Sequence, residues 1–88
     1  MRRDPDFFGV DDELALIYIA KKLKEALRLE EVLTQAGLDY LVEPDHYIGG
    51  LIFRRERVGA FFYVAPGDED SARQTLAQEG FAAYSATD

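Results

Sequence analysis

Two stretches of the chain are apolar at every position, with no alternation between apolar and polar residues. They are residues 14–20 and residues 60–64. A strand of this kind hides both of its faces from water, which is typical of the centre of a sheet. We therefore predict two central strands, with 14–20 as the first strand and 60–64 as the third.

Helical periodicity follows the first strand, from about residue 22 to residue 36, with apolar residues three and four apart. These residues are Leu23, Ala26, Leu27, Leu29, Val32, Leu33 and Ala36. Gly37 comes next and suits the left-handed backbone that often ends a helix. A second helix is predicted after the acidic residues 68–70, which favour a helix start, and before Gly80.

Two weaker strands complete the pattern. Residues 39–43 alternate partly and stop at Pro44, which indicates an edge strand because proline has no amide hydrogen; residues 81–84 form the last short strand. The order predicts an α+β fold, a ferredoxin-like βαββαβ two-layer sandwich with an antiparallel sheet. We expect residues 1–13 to form an N-terminal arm and residues 14–88 a single ferredoxin-like domain.

The connection from Asp45 to Arg57 leaves two interpretations open. It either extends a hairpin or forms a long loop, and Gly49 and Gly50 permit a bend in both cases. These glycines lack the spacing of a phosphate-binding loop.

Charge and composition narrow the partners. The chain has 10 Lys and Arg against 17 Asp and Glu, a net charge of −7, which disfavours nucleic acid. It has no Cys, so no disulfide or thiol chemistry is available. The apolar run at 14–20 is too short to span a bilayer and follows acidic residues. We expect a cytoplasmic protein with no membrane or nucleic-acid partner and no cofactor.

A family resemblance rests on residues 29–40, a helix ending in Ala-Gly before a strand, and on residues 61–72, a strand that runs into an acidic helix start. In these segments the chain resembles a family of small bacterial domains described as signal transducing proteins. Their fold is ferredoxin-like and similar to that of the nitrogen-regulatory PII proteins. The resemblance implies the same fold and a signalling or regulatory role.

The sheet face opposite the helices is the first candidate surface. Either alternation of the central strands leaves large apolar side chains there, and an extended apolar patch usually marks an interface. We predict a homo-oligomer, a dimer or trimer, with Tyr18, Phe62 and Tyr63 as candidate interface residues. Two alternatives are a ligand cleft on this face and an intramolecular cover by Phe7 and Phe8 of the arm.

Basic residues supply a second candidate, an anion or ligand site in an otherwise acidic chain. The residues are Lys21, Lys22, Lys24, Arg54, Arg55 and Arg57. A solvated helix face with weak charge pairs is the alternative. His46 and Tyr47 are candidate contacts for a partner in the connection.

No catalytic or metal-binding constellation is visible, because His46 is the only histidine. The leading hypothesis is a small homo-oligomeric module that binds a ligand or a protein, without catalysis. The alternative is an enzyme of the dimeric ferredoxin-like barrel type, in which His46 or a tyrosine such as Tyr18 or Tyr63 transfers a proton.

Overall fold

A three-stranded antiparallel sheet with two helices against one face forms an α+β domain. The computed structural model describes residues 1–9, 13–49 and 55–84. The elements are β1 (Ala15–Ala20), α1 (Leu23–Gln35), β2 (Leu41–Gly49), β3 (Arg55–Val64) and α2 (Glu69–Gln78). Both predicted helices are confirmed, and Gly37 and Gly80, with φ of +77° and +84°, take the left-handed conformation after them.

The strand order of the described sheet is β1-β3-β2, so β3 is central and β2 lies at an edge, as predicted. The prediction that the first strand is also central is wrong for this sheet, because no fourth strand pairs with the outer edge of β1 in the described residues. The sequence places the end of β2 wrongly at Pro44, since the strand continues to Gly49. Its pairing with β3 runs from Leu41 opposite Tyr63 to Gly49 opposite Arg55. A proline is tolerated here because an edge strand bonds on one side only. The connection thus extends a hairpin, which was one of the two interpretations.

The predicted fourth strand, residues 81–84, is not a strand in the described part of the chain. It makes one sheet-like contact, in which the Tyr84 amide donates to the Ile17 carbonyl at 2.7 Å. At its start the Phe81 amide donates to the Leu76 carbonyl of α2 at 2.8 Å, which caps the helix after Gly80. The segment therefore begins at the helix end and touches the outer edge of β1 only at Tyr84.

The main core lies between the sheet and the helices. Its fully or nearly buried members include Ile17, Leu29, Leu33, Tyr40, Phe62, Val64, Ala72 and Leu76. Phe62 is completely buried and stacks on Tyr40, with 6.0 Å between ring centroids. The alternation is thereby settled: Phe62 faces the helices, and its prediction as an interface residue is wrong because no partner can reach it.

Tyr40 fixes the C-terminal part of α1 to the sheet. Its phenol donates to the Glu30 carbonyl at 3.0 Å and shares a hydrogen bond with the Thr34 hydroxyl, also at 3.0 Å. Burial raises the pKa of Tyr40 even though the Thr34 bond lowers it in part. This tyrosine is a closed, fully bonded element of the core.

The N-terminal arm is anchored at two places. The Arg3 amide donates to the Tyr40 carbonyl at 2.8 Å, which sets residues 1–3 beside the start of β2. A short 3-10 turn, Pro5–Phe7, follows, and then Phe8 is buried whereas Phe7 stays exposed. The two rings thus differ in burial, although Phe7 meets Phe8 edge-on with 5.2 Å between ring centroids and has the Arg3 guanidinium 4.6 Å from its own centroid.

Candidate functional site

The second face of the sheet carries an apolar row that crosses all three strands. Leu16, Tyr63 and Leu41 stand side by side in the pairing register, and Ile19 and Phe61 form the next row on β1 and β3. Both helices lie against the other face. Leu41 and Phe61 are nevertheless buried, at 6% and 8% exposure, while Leu16, Ile19 and Tyr63 are partly exposed.

Phe8 is the buried residue of the arm. It is 9% exposed, and like Leu41 and Phe61 it is not part of the core cluster beneath the helices. Residues 1–3 lie beside the start of β2, while β1 lies at the other edge of the sheet. That the arm covers the second face, one of the alternatives, stays a prediction.

A cleft of about 730 Å³ opens where the end of β1, the first turn of α1, the hairpin and residues 82–84 come together. Its lining residues are Tyr18, Ile19, Lys21, Glu25, His46, Tyr47, Ile48, Phe61, Ala82 and Tyr84. This volume lies in the range of small-molecule sites. Leu16, Leu41 and Tyr63 are not among the lining residues, so the cleft and the first apolar row occupy different ends of the sheet.

Gly59 explains why the Tyr47 ring reaches this cleft. A Cβ at Gly59 would lie 3.0 Å from Tyr47 Cε1 and 3.0 Å from Ile19 Cγ2. It would also lie 3.1 Å from the backbone oxygen of Ala20. Only glycine lets the ring lie directly on β3, and the hairpin thereby supplies an aromatic wall next to β1.

Lys21 is the cation of the cleft. Its Nζ lies 5.6 Å from the centroid of the Tyr47 ring, within the range of a cation–π contact. Its backbone amide donates to Glu25 Oε1 at 3.3 Å. Among the described residues no carboxylate lies within ion-pair distance of its ammonium group.

Tyr18 and Glu25 lie together on one side of the cleft. The Tyr18 ring meets Phe81 edge-on, with 5.4 Å between the ring centroids. Burial raises the pKa of Tyr18, and the negative charge of the nearby Glu25 raises it further. The phenol therefore stays protonated at neutral pH and acts as a hydrogen-bond donor.

His46 stands at the rim of the cleft, paired with Glu56 across the hairpin. Nδ1 and Oε1 are 3.1 Å apart, and both side chains are more than half exposed. Such a pair contributes little. Within the described ranges no group of three or more metal-ligating side chains comes together.

The residues of the predicted basic cluster lie at different places in the structure. Only Lys21 lines the cleft, while Lys22 borders a small apolar groove with Val58, and Lys24 faces a depression next to Glu79. Arg57 is exposed on the hairpin. Arg54 and the side chain of Arg55 lie outside the described part of the structure.

Sequence reasoning missed the part of Glu25, Phe61 and Tyr84 in the cleft. These three side chains come together only because α1 and the segment after α2 pack against β1. No pattern in the neighbouring sequence indicates that packing. Gly59 was the available signal, because a glycine inside a strand often marks close approach of another group.

Comparison with family models, with curated proteins and with solved structures found no match for this chain. None of the helices in the described segments is long and apolar enough to cross a membrane.

Proposed function

We propose that this chain is a small non-catalytic binding module, regulatory in character, that self-associates through the second sheet face and offers the cleft to a ligand or partner. The unequal cover of the two sheet faces carries the proposal. One face is covered by two helices, and the other leaves Leu16, Ile19 and Tyr63 partly exposed.

A second copy is the occupant that best suits this face. Leu16 and Tyr63, the partly exposed members of the apolar row, lie on neighbouring strands, so a two-fold axis through them would bring like apolar side chains together. Glu43 and Asp45 stand next to Tyr63 on the same face, exposed, and supply a polar rim of the kind that surrounds interface cores. These two charged side chains also mark where the apolar part of the proposed contact between copies ends.

A ferredoxin-like arrangement is part of the proposal. The element order, the antiparallel pairing and the position of residues 81–84 beside β1 support it, with those residues as an incomplete fourth strand. Folds of this kind often associate through the open sheet face, but the fold by itself does not define a function.

The alternative is a dimeric barrel enzyme that uses His46 or a tyrosine for proton transfer. The cleft does bring His46 and Tyr18 into one lining. Against it, the raised pKa of Tyr18 makes its phenol a poorer acid, and His46 is largely exposed beside Glu56. The geometry therefore supports binding better than catalysis.

Sedimentation equilibrium of the full chain tests the proposal. We expect a concentration-dependent oligomer that the substitution Tyr63→Lys weakens at least tenfold, since a charge would be buried in the contact. Leu27→Lys is the matched control, because Leu27 is 57% exposed on α1, away from this face. A monomer at high micromolar concentration, both with residues 1–9 and without them, would overturn the proposal.

A further inference from the structure

We propose that the cleft binds a small carboxylate with a planar apolar body, such as an aromatic acid, whose carboxylate pairs with Lys21. The inference rests on the proposed binding role and names the ligand class of that cleft. It follows from the distribution of charge and apolar surface among the lining residues.

The charges of the cleft are unequal in availability. The Glu25 carboxylate accepts the Lys21 backbone amide at 3.3 Å. Glu56, near the rim, is paired with His46. The Lys21 ammonium group has a ring beneath it and no carboxylate within ion-pair distance among the residues described, so its hydrogen-bond donors are left for a ligand.

The rest of the lining is apolar and aromatic. Ile19 and Phe61 come from neighbouring positions of β1 and β3, and Tyr47 and Tyr84 add rings from the hairpin and from the segment after α2. Flat apolar groups pack well against such rings. A ligand with a planar body can therefore lie on this surface while its charged end reaches Lys21.

A cationic ligand fits less well. The Tyr47 face, which would attract a cation, is already taken by the Lys21 ammonium group. A second positive charge would have to displace Lys21 or lie beside it, and like charges at that distance repel. An inorganic anion would use Lys21 but leave the apolar lining in contact with water.

Four probes separate these contributions: phenylacetate, phenylacetamide, cyclohexylacetate and acetate. We expect phenylacetate to bind at least tenfold more tightly than the neutral phenylacetamide and than acetate, measured by chemical-shift titration of the full chain. Cyclohexylacetate, which has the charge without a planar body, should bind more weakly than phenylacetate. Added salt should weaken phenylacetate and leave phenylacetamide unchanged, because salt screens only charge.

Two lysine variants give the matched comparison. Lys21→Gln should weaken phenylacetate about tenfold, the loss expected for one charge-assisted hydrogen bond, and leave phenylacetamide unchanged. Lys24→Gln, one turn away and outside the cleft, should change neither. Both lysines are exposed, so both variants should fold as the parent does.

Three results would overturn the inference: equal binding of phenylacetate and phenylacetamide, equal losses in the two lysine variants, or no binding of phenylacetate. If the chain still forms an oligomer in that last case, the ligand class fails and the proposed self-association stands. If phenylacetate binds to a chain that stays monomeric, the proposed self-association fails and the ligand class stands.

Discussion

Neighbouring residues of the same strand supply the two faces of the sheet, but one face is covered much better than the other. Phe62 is sealed between Tyr40 and the helices, whereas Phe61, the next residue along β3, points to the other face and meets no helix there. Both rings are buried, at 0% and 8% exposure. One face is complete within a single chain, and the other is completed, in our proposal, by a second copy.

The difference shows why a small chain carries so much apolar surface. A domain of this size buries only about two-thirds of the surface of its unfolded chain. The helices cover one face fully, and little chain remains for the other. In our proposal, a second copy would add cover without adding length, and it would leave the far end of the same face free for the cleft.

The largest expected effect separates the two neighbouring phenylalanines. Phe62→Ala should lower the free energy of unfolding by about 3–5 kcal/mol, because it leaves a cavity in a rigid core. Phe61→Ala should cost about 2 kcal/mol, close to the transfer free energy of its side chain. Urea unfolding at low protein concentration measures both. Equal losses would show that the two faces are equally well packed, contrary to this account.

The arm provides the next comparison, between Phe8 and Phe7. Phe8→Ala should lower the free energy of unfolding by about 2 kcal/mol, since a buried side chain is lost. Phe7→Ala should cost less than about 0.5 kcal/mol, because Phe7 is 53% exposed. The same unfolding experiment applies. Equal losses in the two variants would show that Phe8 does not anchor the arm more strongly than Phe7 does.

A smaller effect is expected from the closed tyrosine on the helix side. Tyr40→Phe should cost about 1 kcal/mol, because it removes the hydrogen bonds to the Glu30 carbonyl and the Thr34 hydroxyl. Tyr63→Phe, on the second face, is the control and should leave monomer stability nearly unchanged. A larger loss for Tyr63→Phe than for Tyr40→Phe would reverse the comparison.

The last prediction concerns alkaline pH. Burial raises the pKa of Tyr18, Tyr40 and Tyr63 above the ordinary value of 10.0 in the folded chain. Between the unfolded and folded pKa values the unfolded state binds fewer protons, so stability is full below pH 10 and falls as the pH rises above it. The urea midpoint should decline less steeply in Tyr40→Phe than in the parent. Parallel slopes would contradict the assignment.

Much of the fold follows from local pattern, and the site does not. The spacing of Leu29 and Leu33 predicted α1, and Gly37 predicted its end, because both signals lie within a few residues. The alternation of 60–64 could not be assigned, since both parities are apolar. The register shift between Leu16 and Tyr18, which brings both Ile17 and Tyr18 into contact with the core, is also invisible in the sequence.

The cleft could not be predicted from the sequence because contacts between distant parts of the chain form it. Lys21 was singled out with five other basic residues, but its distinction from Lys22 depends on the Tyr47 ring, which arrives through the hairpin. The prediction of a fourth strand also depended on contacts between distant parts of the chain, since residues 81–84 contact β1 through the Tyr84 amide and the Ile17 carbonyl without forming a strand. Local propensity carries no information on either contact.

The central claim is that the second sheet face is completed by another copy. Isotope-filtered NMR on a mixture of labelled and unlabelled chains tests it directly, because only contacts between copies give a signal. We predict intermolecular contacts at Leu16 and Tyr63 and none at Leu23 or Leu27 on the exposed side of α1. Contacts confined to α1, or no intermolecular contact at a concentration at which the oligomer is populated, would contradict the account.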